Sequence, residues 1–226
     1  MTPLTICCLL VKGEFPYTVE YVIRLKRMVD RFCSRPFLFC CLTDQPKALP
    51  SGVEAIPITK FDGCFAFWSK LQLFDPRHGF TGRMLYIDLD SLIVAPLDPI
   101  IDFPAELALT KDAFVAERAH LNKDRYGRTL VRRFNSSVMV WDGGTQTDLF
   151  TNWTLADAQR LSTDQDLIGE RALHAQGLPL AWFPRASRVQ PPWPEDAKVV
   201  LVKKPKNVAA CDKWPWFNEA WGGWAA

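Results

Sequence analysis

The sequence lacks any apolar run that approaches the roughly 20 residues a helix needs to cross a lipid bilayer. It also lacks an excess of charge of one sign, because 27 lysines and arginines are matched by 25 aspartates and glutamates, which leaves a formal net charge of +2. A protein that wraps duplex nucleic acid usually carries a dense basic face, and this balance does not provide one. We therefore expect no membrane span and no nucleic-acid partner.

Paired-cysteine motifs are missing as well. Seven cysteines are present, including Cys7 beside Cys8 and Cys40 beside Cys41, but none has the CxxC spacing of zinc knuckles and redox pairs. Neighbouring residues of a strand point to opposite faces, so each pair should place one reduced thiol on each side of a sheet. The apolar residues 6–11 have no basic segment before them and no small-residue cleavage site after them, which favours a strand over a signal peptide. These features predict a reducing, cytoplasmic setting.

Strand and helix patterns alternate along the first half of the chain, in the order β-α-β-β-α-β. Strands are expected at residues 4–11, 37–42, 53–58 and 83–88, with helices at residues 16–32 and 67–74. Pro57 cannot donate a ladder hydrogen bond, which puts the third strand near a sheet edge. This order predicts an α/β fold with a mainly parallel central sheet and helices on its faces.

The second half is less regular. After a charged stretch, the patterns predict strands at residues 137–141 and 199–202 and helices at residues 147–160 and 165–175. Prolines and tryptophans dominate from residue 177 onwards, and no flexible linker or internal repeat interrupts the chain. A single domain with an irregular C-terminal part is expected.

Two carboxylates, Asp88 and Asp90, stand one residue apart at the end of a predicted strand. Ligands of open α/β sheets bind at the carboxyl ends of the strands, which is where these acids fall. Two carboxylates suit a hard divalent cation such as Mg²⁺ or Mn²⁺, which takes its remaining ligands from phosphate oxygens and water. Strand-end aspartates also cap turns and face solvent, so the pair by itself leaves both interpretations open.

Three later segments carry polar side chains next to predicted strands or helices. Asn135 and Ser136, before the strand at 137–141, can approach a ligand closely or form a turn. Asp164 and Gln165, before a helix, can contact a polyhydroxylated substrate or cap the helix. Lys203 and Lys204, after the last strand, can bind a diphosphate or form a solvated basic loop.

Taken in this order, the motifs resemble those of nucleotide-sugar-dependent glycosyltransferases of the GT-A fold, in particular the glycogenin-like and lipopolysaccharide galactosyltransferase group and its small bacterial and phage relatives. The resemblance covers nearly the whole chain and rests on residues 11–13, 41–44, 68–74, 85–90, 134–137, 164–166 and the Lys-Pro-Lys at 204–206. It implies a single GT-A (Rossmann-like) domain over residues 1–226, with a nucleotide-binding half at 1–95 and an acceptor and sugar half at 96–226.

The resemblance also implies roles for single residues. Asp88 and Asp90 correspond to the D-x-D pair that holds Mn²⁺ or Mg²⁺ against the donor diphosphate. Asp164 is similar to the residue that binds donor-sugar hydroxyls, and Gln165 to the one beneath the reacting carbon. The other implied donor contacts are Val11, Lys12, Thr43 and Asp44 on the nucleoside rim, Lys70 near the donor, Asn135 and Ser136 on the sugar side, and Lys203 and Lys204 by the diphosphate.

The chain departs from the family at the C-terminal motif, where the family usually supplies a histidine as third metal ligand. Residues 201–206 contain no histidine, and the three histidines of the chain, His78, His120 and His174, lie elsewhere. This departure implies a weak metal site that has two protein ligands and is filled mainly when nucleotide is present.

The resemblance implies a metal-assisted hexosyltransferase. Its donor is a nucleoside-diphosphate sugar, with a UDP-sugar favoured, its acceptor is a glycan, lipid or protein hydroxyl, and Asp164 and Gln165 favour retention. The missing histidine leaves open a catalytically impaired nucleotide-sugar or glycan-binding protein. A phosphatase of the haloacid-dehalogenase type also uses D-x-D, but there the motif normally ends the first strand and has Thr or Val at its fifth position, where this chain has Leu92.

Overall fold

A seven-stranded sheet forms the centre of the protein in a computed structural model, which describes residues 3–13, 17–111, 123–124, 126–131, 133–186 and 192–202. The strands of this sheet are β1 (Leu4–Leu10), β2 (Leu38–Thr43), β3 (Glu54–Pro57), β4 (Arg83–Ile87), β6 (Leu107–Lys111), β7 (Phe134–Asp142) and β8 (Gln176–Leu178). Two further strands, β5 (Ser91–Ile93) and β9 (Val199–Leu201), pair with each other in an antiparallel ribbon.

The order of the strands across the sheet is β3-β2-β1-β4-β7-β6-β8. The first four strands in this order run parallel to one another, whereas β7 is antiparallel to both of its neighbours and β8 runs parallel to β6. The predicted α/β class with a mainly parallel sheet is therefore confirmed. The strand containing Pro57, β3, lies at an edge of the sheet, as expected for a residue that cannot donate a ladder hydrogen bond.

Helices cover both faces of the sheet. They are α1 (Val19–Phe32), α2 (Asp98–Ile101), α3 (Asp148–Thr151), α4 (Leu155–Arg160) and α5 (Asp164–Arg171). Helix α1 buries the apolar side chains that recur at helical spacing, Val22, Leu25, Met28 and Val29.

Three helix predictions need correction. The predicted helix at residues 67–74 is a 3₁₀ helix, Ala66–Phe74, in which every residue except Phe67 is buried. It ends before Pro76, whose ring disfavours helical backbone at the preceding residue. The predicted helix at 147–160 is divided into α3 and α4, and the helix predicted at 165–175 begins at Asp164 and ends at Arg171.

The cysteine pairs lie in register on β1 and β2, with Cys7 opposite Cys40 and Cys8 opposite Cys41. Cys8 and Cys41 belong to the core that α1 covers, whereas Cys7 and Cys40 belong to the core on the other face of the sheet. All four thiols are free and fully buried, and burial raises the pKa of Cys7 and Cys8. The prediction that each pair contributes one thiol to each face is confirmed.

The antiparallel direction of β7 brings polar residues together at one end of the sheet, where β1 and β4 finish; this end is called the carboxyl edge. Parallel strands β1 and β4 end at the same edge, and antiparallel pairing with β4 brings the beginning of β7 to that edge, with Ile87 opposite Val138. The backbone N–H of Asp88 donates to the carbonyl of Ser137 at 2.8 Å. Residues that are about 50 positions apart in sequence thus become neighbours at one end of the sheet.

No helix within the described part of the chain is long and apolar enough to cross a membrane.

Candidate functional site

A cavity of about 350 Å³ opens at this edge of the sheet. Its apolar walls come from Leu9, Val11, Ala66, Phe67 and Leu89, and its polar walls from Tyr17, Lys70, Tyr86, Asp88, Asp90, Asn135 and Ser137. Five of the predicted site residues, Val11, Lys70, Asp88, Asp90 and Asn135, therefore line one cavity. A cavity that combines apolar walls with convergent polar groups is typical of ligand sites.

A larger hollow of about 740 Å³ lies at the opposite edge of the sheet, where β4 begins and β7 ends. Its cations are engaged: Arg35 pairs with Asp98 and Asp102, and Arg83 pairs with Asp142 and donates to three backbone carbonyls. These contacts fasten loops to the sheet. We therefore place the candidate site in the smaller cavity.

Lys70 is the positive centre of the smaller cavity. Its side chain comes from the buried face of the 3₁₀ helix and is only 6% exposed. Its Nζ lies 2.9 Å from Oδ1 of Asp88 and 3.8 Å from Oδ2 of Asp164, and donates to the carbonyl and Oγ of Ser136 at 3.2 and 3.1 Å. Burial lowers the pKa of Lys70, but Asp88 and Asp164 raise the pKa by more, so that the ammonium is charged at neutral pH.

Asp88 is held by a second donor. The hydroxyl of Tyr86 donates to Oδ1 of Asp88 at 2.6 Å, and Nζ of Lys70 lies 4.9 Å from the centre of the Tyr86 ring. Burial and the neighbouring Asp88 charge raise the pKa of Tyr86, so that the phenol keeps its proton and remains a donor. One oxygen of Asp88 thus accepts from both a lysine and a tyrosine.

Asp90 lies where the C-terminal ribbon meets the cavity. The hydroxyl of Tyr17 donates to Oδ2 of Asp90 at 2.9 Å, and the backbone N–H of Val202 donates to the Asp90 carbonyl at 3.2 Å. Burial raises the pKa of Tyr17 far above its ordinary value, which keeps this hydroxyl protonated. Val202 is the last described residue, and the predicted diphosphate contacts Lys203 and Lys204 lie outside the described residues.

Asp164 and Gln165 form a shelf behind Lys70, in the first turn of α5 rather than before it. The Ser136 hydroxyl donates to Oδ2 of Asp164 at 2.7 Å. Oε1 of Gln165 accepts from Nδ2 of Asn135 at 3.2 Å and from the Ser136 N–H at 3.4 Å. Burial raises the pKa of Asp164, and the opposing effects of Lys70 and Ser136 do not cancel that rise. The structure thus joins four residues from two distant predicted motifs.

The predicted nucleoside rim follows the ends of β1 and β2. Val11 lines the cavity, and the backbone N–H of Lys12 donates to both carboxylate oxygens of Asp44 at 3.0 and 3.2 Å. Thr43 is fully buried, and its hydroxyl accepts from the N–H of Gln45, so its side chain serves the turn after β2. The Asp44 carboxylate links the two strand ends on the exposed side of this rim.

Asp88 and Asp90 fit a divalent cation as a site with two protein ligands. Both carboxylates offer oxygen atoms on the cavity wall as metal ligands. One oxygen of each carboxylate already accepts a hydrogen bond from a tyrosine hydroxyl. Within the described ranges, no group of three His, Cys, Asp or Glu side chains is placed to hold a metal ion. Phosphate oxygens and water are therefore needed to complete the coordination of such an ion.

Tyr17 and Tyr86 are the site residues that sequence reasoning missed. The signal for Tyr86 was present, because residues two apart on a strand point to the same side and Tyr86 precedes Asp88 by two positions. Tyr17 lies 73 positions from Asp90, and no sequence pattern connects these two residues.

The segment before α5 is fastened by Asp124. The carboxylate of Asp124 accepts from the backbone N–H groups of Tyr126 and Arg128, from Nε of Arg128 and from the hydroxyl of Ser162, at 2.8 to 2.9 Å. The N–H of Thr129 in turn donates to the carbonyl of Arg160 at 2.7 Å. This turn therefore fixes the chain directly ahead of Asp164.

Asp124→Asn is expected to lower the free energy of unfolding at pH 7 by about 2 kcal/mol, because hydrogen bonds to a charged group are lost. Burial raises the pKa of Asp124, but the donors from Arg128 and Ser162 outweigh it and lower the pKa to about 2. The stability from a lowered carboxyl pKa is present above its ordinary value of 3.8 and is lost as the pH falls toward 2. Urea unfolding at pH 7 and at pH 3 should show the difference shrinking in acid. Asp30→Asn, which breaks an exposed ion pair with Lys26, is the control and should lower the free energy of unfolding by less than about 0.5 kcal/mol. An equal loss at pH 7 and pH 3 in Asp124→Asn would contradict this role of Asp124.

The sheet has the GT-A fold of known glycosyltransferase structures, which confirms the predicted resemblance at the level of the fold. The galactosyltransferase LgtC, in complex with donor and acceptor sugar analogues, is similar at a TM-score of 0.66 and 16% identity over 97% of this chain and 95% of that chain. An active-site mutant of LgtC, in which a glutamine is replaced by glutamate, gives a TM-score of 0.70 at the same identity and coverage.

The apo structure of the bifunctional glycosyltransferase WbbM is also similar. It gives a TM-score of 0.58 at 11% identity, over 97% of this chain and 51% of that chain. No protein-family model and no curated protein sequence matches the chain. The shared feature is therefore the fold, at identities too low to carry residue roles across.

Proposed function

We propose that this protein is a glycosyltransferase that moves a hexose from a nucleoside-diphosphate sugar to an acceptor hydroxyl. The observation that carries the proposal is the convergence of Asp88, Asp90, Lys70 and Asp164 on the carboxyl edge of a GT-A sheet. The solved structures that share the fold are glycosyltransferases, and one of them holds donor and acceptor sugar analogues. A UDP-sugar is the donor that the family resemblance favours, and a glycan, lipid or protein hydroxyl is the acceptor.

The two halves of the chain supply different parts of the donor site. Residues 1–95 contribute nucleoside and diphosphate contacts, namely Val11, Lys12, Asp44, Lys70, Asp88 and Asp90, and the buried Thr43 supports this rim through the turn after β2. Residues 96–226 contribute the sugar contacts Asn135, Ser136, Asp164 and Gln165 and the diphosphate contacts Lys203 and Lys204. These two sets meet at the β4–β7 pairing and at the contact of Lys70 with Ser136.

The chemical demand of the reaction is the negative charge that develops on the departing diphosphate. Asp88 and Asp90 hold Mn²⁺ or Mg²⁺, and when bound this cation supplies charge that stabilises the leaving group. Lys70 brings a further positive charge into the same cavity, where low exposure strengthens its effect.

The sugar is positioned by the shelf on α5. The buried Asp164 carboxylate accepts hydrogen bonds from the sugar hydroxyls, and Gln165 lies beneath the reacting carbon. Asn135 and Ser136 fix both side chains before the substrate arrives. Such preorganisation places the reacting centre without reorganisation of the site. The resemblance of Asp164 and Gln165 to the corresponding family residues favours retention of configuration.

A nucleotide-sugar or glycan-binding protein without turnover is the second candidate. The observation that favours it is the engagement of Asp88 by Lys70 and Tyr86, which leaves a metal with few free protein ligands. The D-x-D phosphatase has less support, because Asp88 here follows the fourth strand of the chain.

The proposal is tested by a panel of nucleoside-diphosphate sugars with and without Mn²⁺. A ligand present at 100 times its Kd stabilises the native state by about 2.7 kcal/mol, which thermal unfolding detects. Donor hydrolysis is then measured with each sugar that stabilises the protein. Stabilisation with release of the nucleoside diphosphate supports the glycosyltransferase, stabilisation without release supports the binding protein, and no stabilisation overturns both.

Lys203→Ala combined with Lys204→Ala is expected to weaken UDP binding about tenfold even in EDTA, because two charges that offset the diphosphate are removed, equivalent to about 1.4 kcal/mol. Both lysines follow Val202, whose N–H binds the carbonyl of Asp90. Lys70→Ala should have a similar but smaller effect. Calorimetry measures the affinities, with the exposed Lys47 and Lys60 changed to alanine as a control of equal charge. Unchanged affinity in EDTA would remove the two lysines from the donor site.

A further inference from the structure

We propose that Lys70 competes with a divalent cation for Asp88, so that the nucleotide-free protein resists metal binding. This inference rests on the metal–diphosphate role proposed above for Asp88 and Asp90. It concerns the state before nucleotide arrives. The ammonium of Lys70 already pairs with one oxygen of the Asp88 carboxylate.

The competition follows from the contacts of one oxygen atom. Oδ1 of Asp88 accepts from Nζ of Lys70 at 2.9 Å and from the Tyr86 hydroxyl at 2.6 Å. A metal bound to this oxygen would have to displace at least one of these donors, and a metal on either oxygen of Asp88 would face the positive charge of the ammonium. Like charges at such separations repel strongly in a cavity with little solvent.

Lys70 has a second position within reach. Oδ2 of Asp164 lies 3.8 Å from its Nζ. Ammonium–carboxylate contacts are typically 2.7–2.9 Å, so a shift of about 1 Å completes a contact with Asp164. Ser136 joins the two positions, because its Oγ accepts from Lys70 and donates to Asp164. The ammonium can therefore leave Asp88 without leaving the cavity.

A diphosphate changes this balance. Its negative charge attracts both the metal and the ammonium, so the two cations no longer have to share one carboxylate. Metal and nucleotide should consequently bind with positive coupling, and each should raise the affinity of the other by the same factor. The structure assigns this coupling to Lys70.

The test is Lys70→Met, titrated with Mn²⁺ in the absence of nucleotide and followed by the electron paramagnetic resonance signal of free Mn²⁺. The Kd for Mn²⁺ should fall at least tenfold, because methionine keeps the length of the side chain and removes the charge. Lys70→Arg keeps the charge and should bind Mn²⁺ as weakly as the wild type. Lys26→Met removes one positive charge from an exposed ion pair and should change nothing. Repeating the titration with UDP should show weaker metal–nucleotide coupling in Lys70→Met.

Two further variants keep the outcome decisive. If Lys70→Met does not fold, the double variant with Asp164→Asn removes one charge of each sign and should show the same tight Mn²⁺ binding. Asp90→Ala added to Lys70→Met should abolish that binding. Equal Mn²⁺ affinity of wild type and Lys70→Met, with UDP still recruiting Mn²⁺ to the wild type, would overturn the competition alone. No Mn²⁺ uptake by either protein with UDP would overturn the metal site and the competition together.

Discussion

Asp90→Ala is expected to abolish Mn²⁺-dependent nucleotide binding, with at least a hundredfold loss of affinity for UDP in Mn²⁺, equivalent to about 2.7 kcal/mol. With two protein carboxylates at the metal, removal of one leaves Asp88 as a single protein ligand that Lys70 and Tyr86 already engage. The fold should be retained with a loss of about 1 kcal/mol in the free energy of unfolding, because the Tyr17 hydroxyl loses the Asp90 carboxylate as an acceptor. The hydrogen bond from Val202 uses the backbone carbonyl of Asp90, which alanine retains.

Calorimetry with UDP in Mn²⁺ and in EDTA separates the metal-dependent part of the affinity, and thermal unfolding checks the fold. Asp62→Ala is the matched control, because Asp62 is exposed and does not line the cavity. Mn²⁺-dependent affinity that survives in Asp90→Ala would show that this carboxylate does not hold the metal.

Asp164→Asn is expected to lower kcat about a thousandfold, while the affinity for UDP measured in EDTA, without metal, changes by less than about threefold. Removal of a preorganised polar group that acts on the transition state typically lowers the rate about 10²–10³-fold. Asp164→Asn also removes a negative charge that faces Lys70, so we expect the upper end of this range. The nucleotide contacts proposed above lie on the other half of the site. Binding and turnover should therefore separate in this variant.

The same substitution should leave the protein equally or more stable at neutral pH. Burial raises the pKa of Asp164. The folded protein therefore loses stability as this carboxyl ionises, when the pH rises from the ordinary pKa of 3.8 through the raised pKa of the folded state. Asparagine has nearly the same size and does not ionise. Donor-hydrolysis kinetics and thermal unfolding at pH 7 and pH 4 test both statements.

Asp166→Asn is the control on the same helix. Its carboxylate is fully buried and accepts from the Val131 N–H and the Thr163 hydroxyl, so the variant should lose stability through structure rather than through sugar binding. An Asp164→Asn enzyme with unchanged kcat would remove Asp164 from the catalytic role.

The fold was predictable where residue pattern alone determines structure. The apolar runs of β1, β2 and β4 and the amphipathic α1 are local signals, and they lead directly to a parallel α/β sheet. Asp88 and Asp90 could be placed at the carboxyl edge for the same reason. The two faces occupied by Cys7 and Cys8 followed from strand geometry.

The remaining features depend on tertiary contacts. Nothing local to β7 shows that it runs antiparallel to β4, although this direction brings Ser136 to Lys70. The 3₁₀ geometry of Ala66–Phe74 accompanies burial of nearly every residue in that segment, which periodicity does not reveal. The ion pair of Lys70 with Asp88 joins residues 18 positions apart across the cavity, and only the assembled sheet creates it.

The short ribbon of β5 and β9 affects the order in which the molecule can be completed during synthesis. β5 is synthesised more than 100 residues before its partner β9, so Ser91 can pair with Leu201 only after the C-terminal strand has been made. Until then the Asp90 carbonyl has no bond from Val202. Contacts of such long sequence separation form late and slowly. A nascent chain that already contains both aspartates of the D-x-D pair therefore lacks the contact that Val202 makes with the backbone of Asp90, and we expect full substrate affinity only after the last strand has paired.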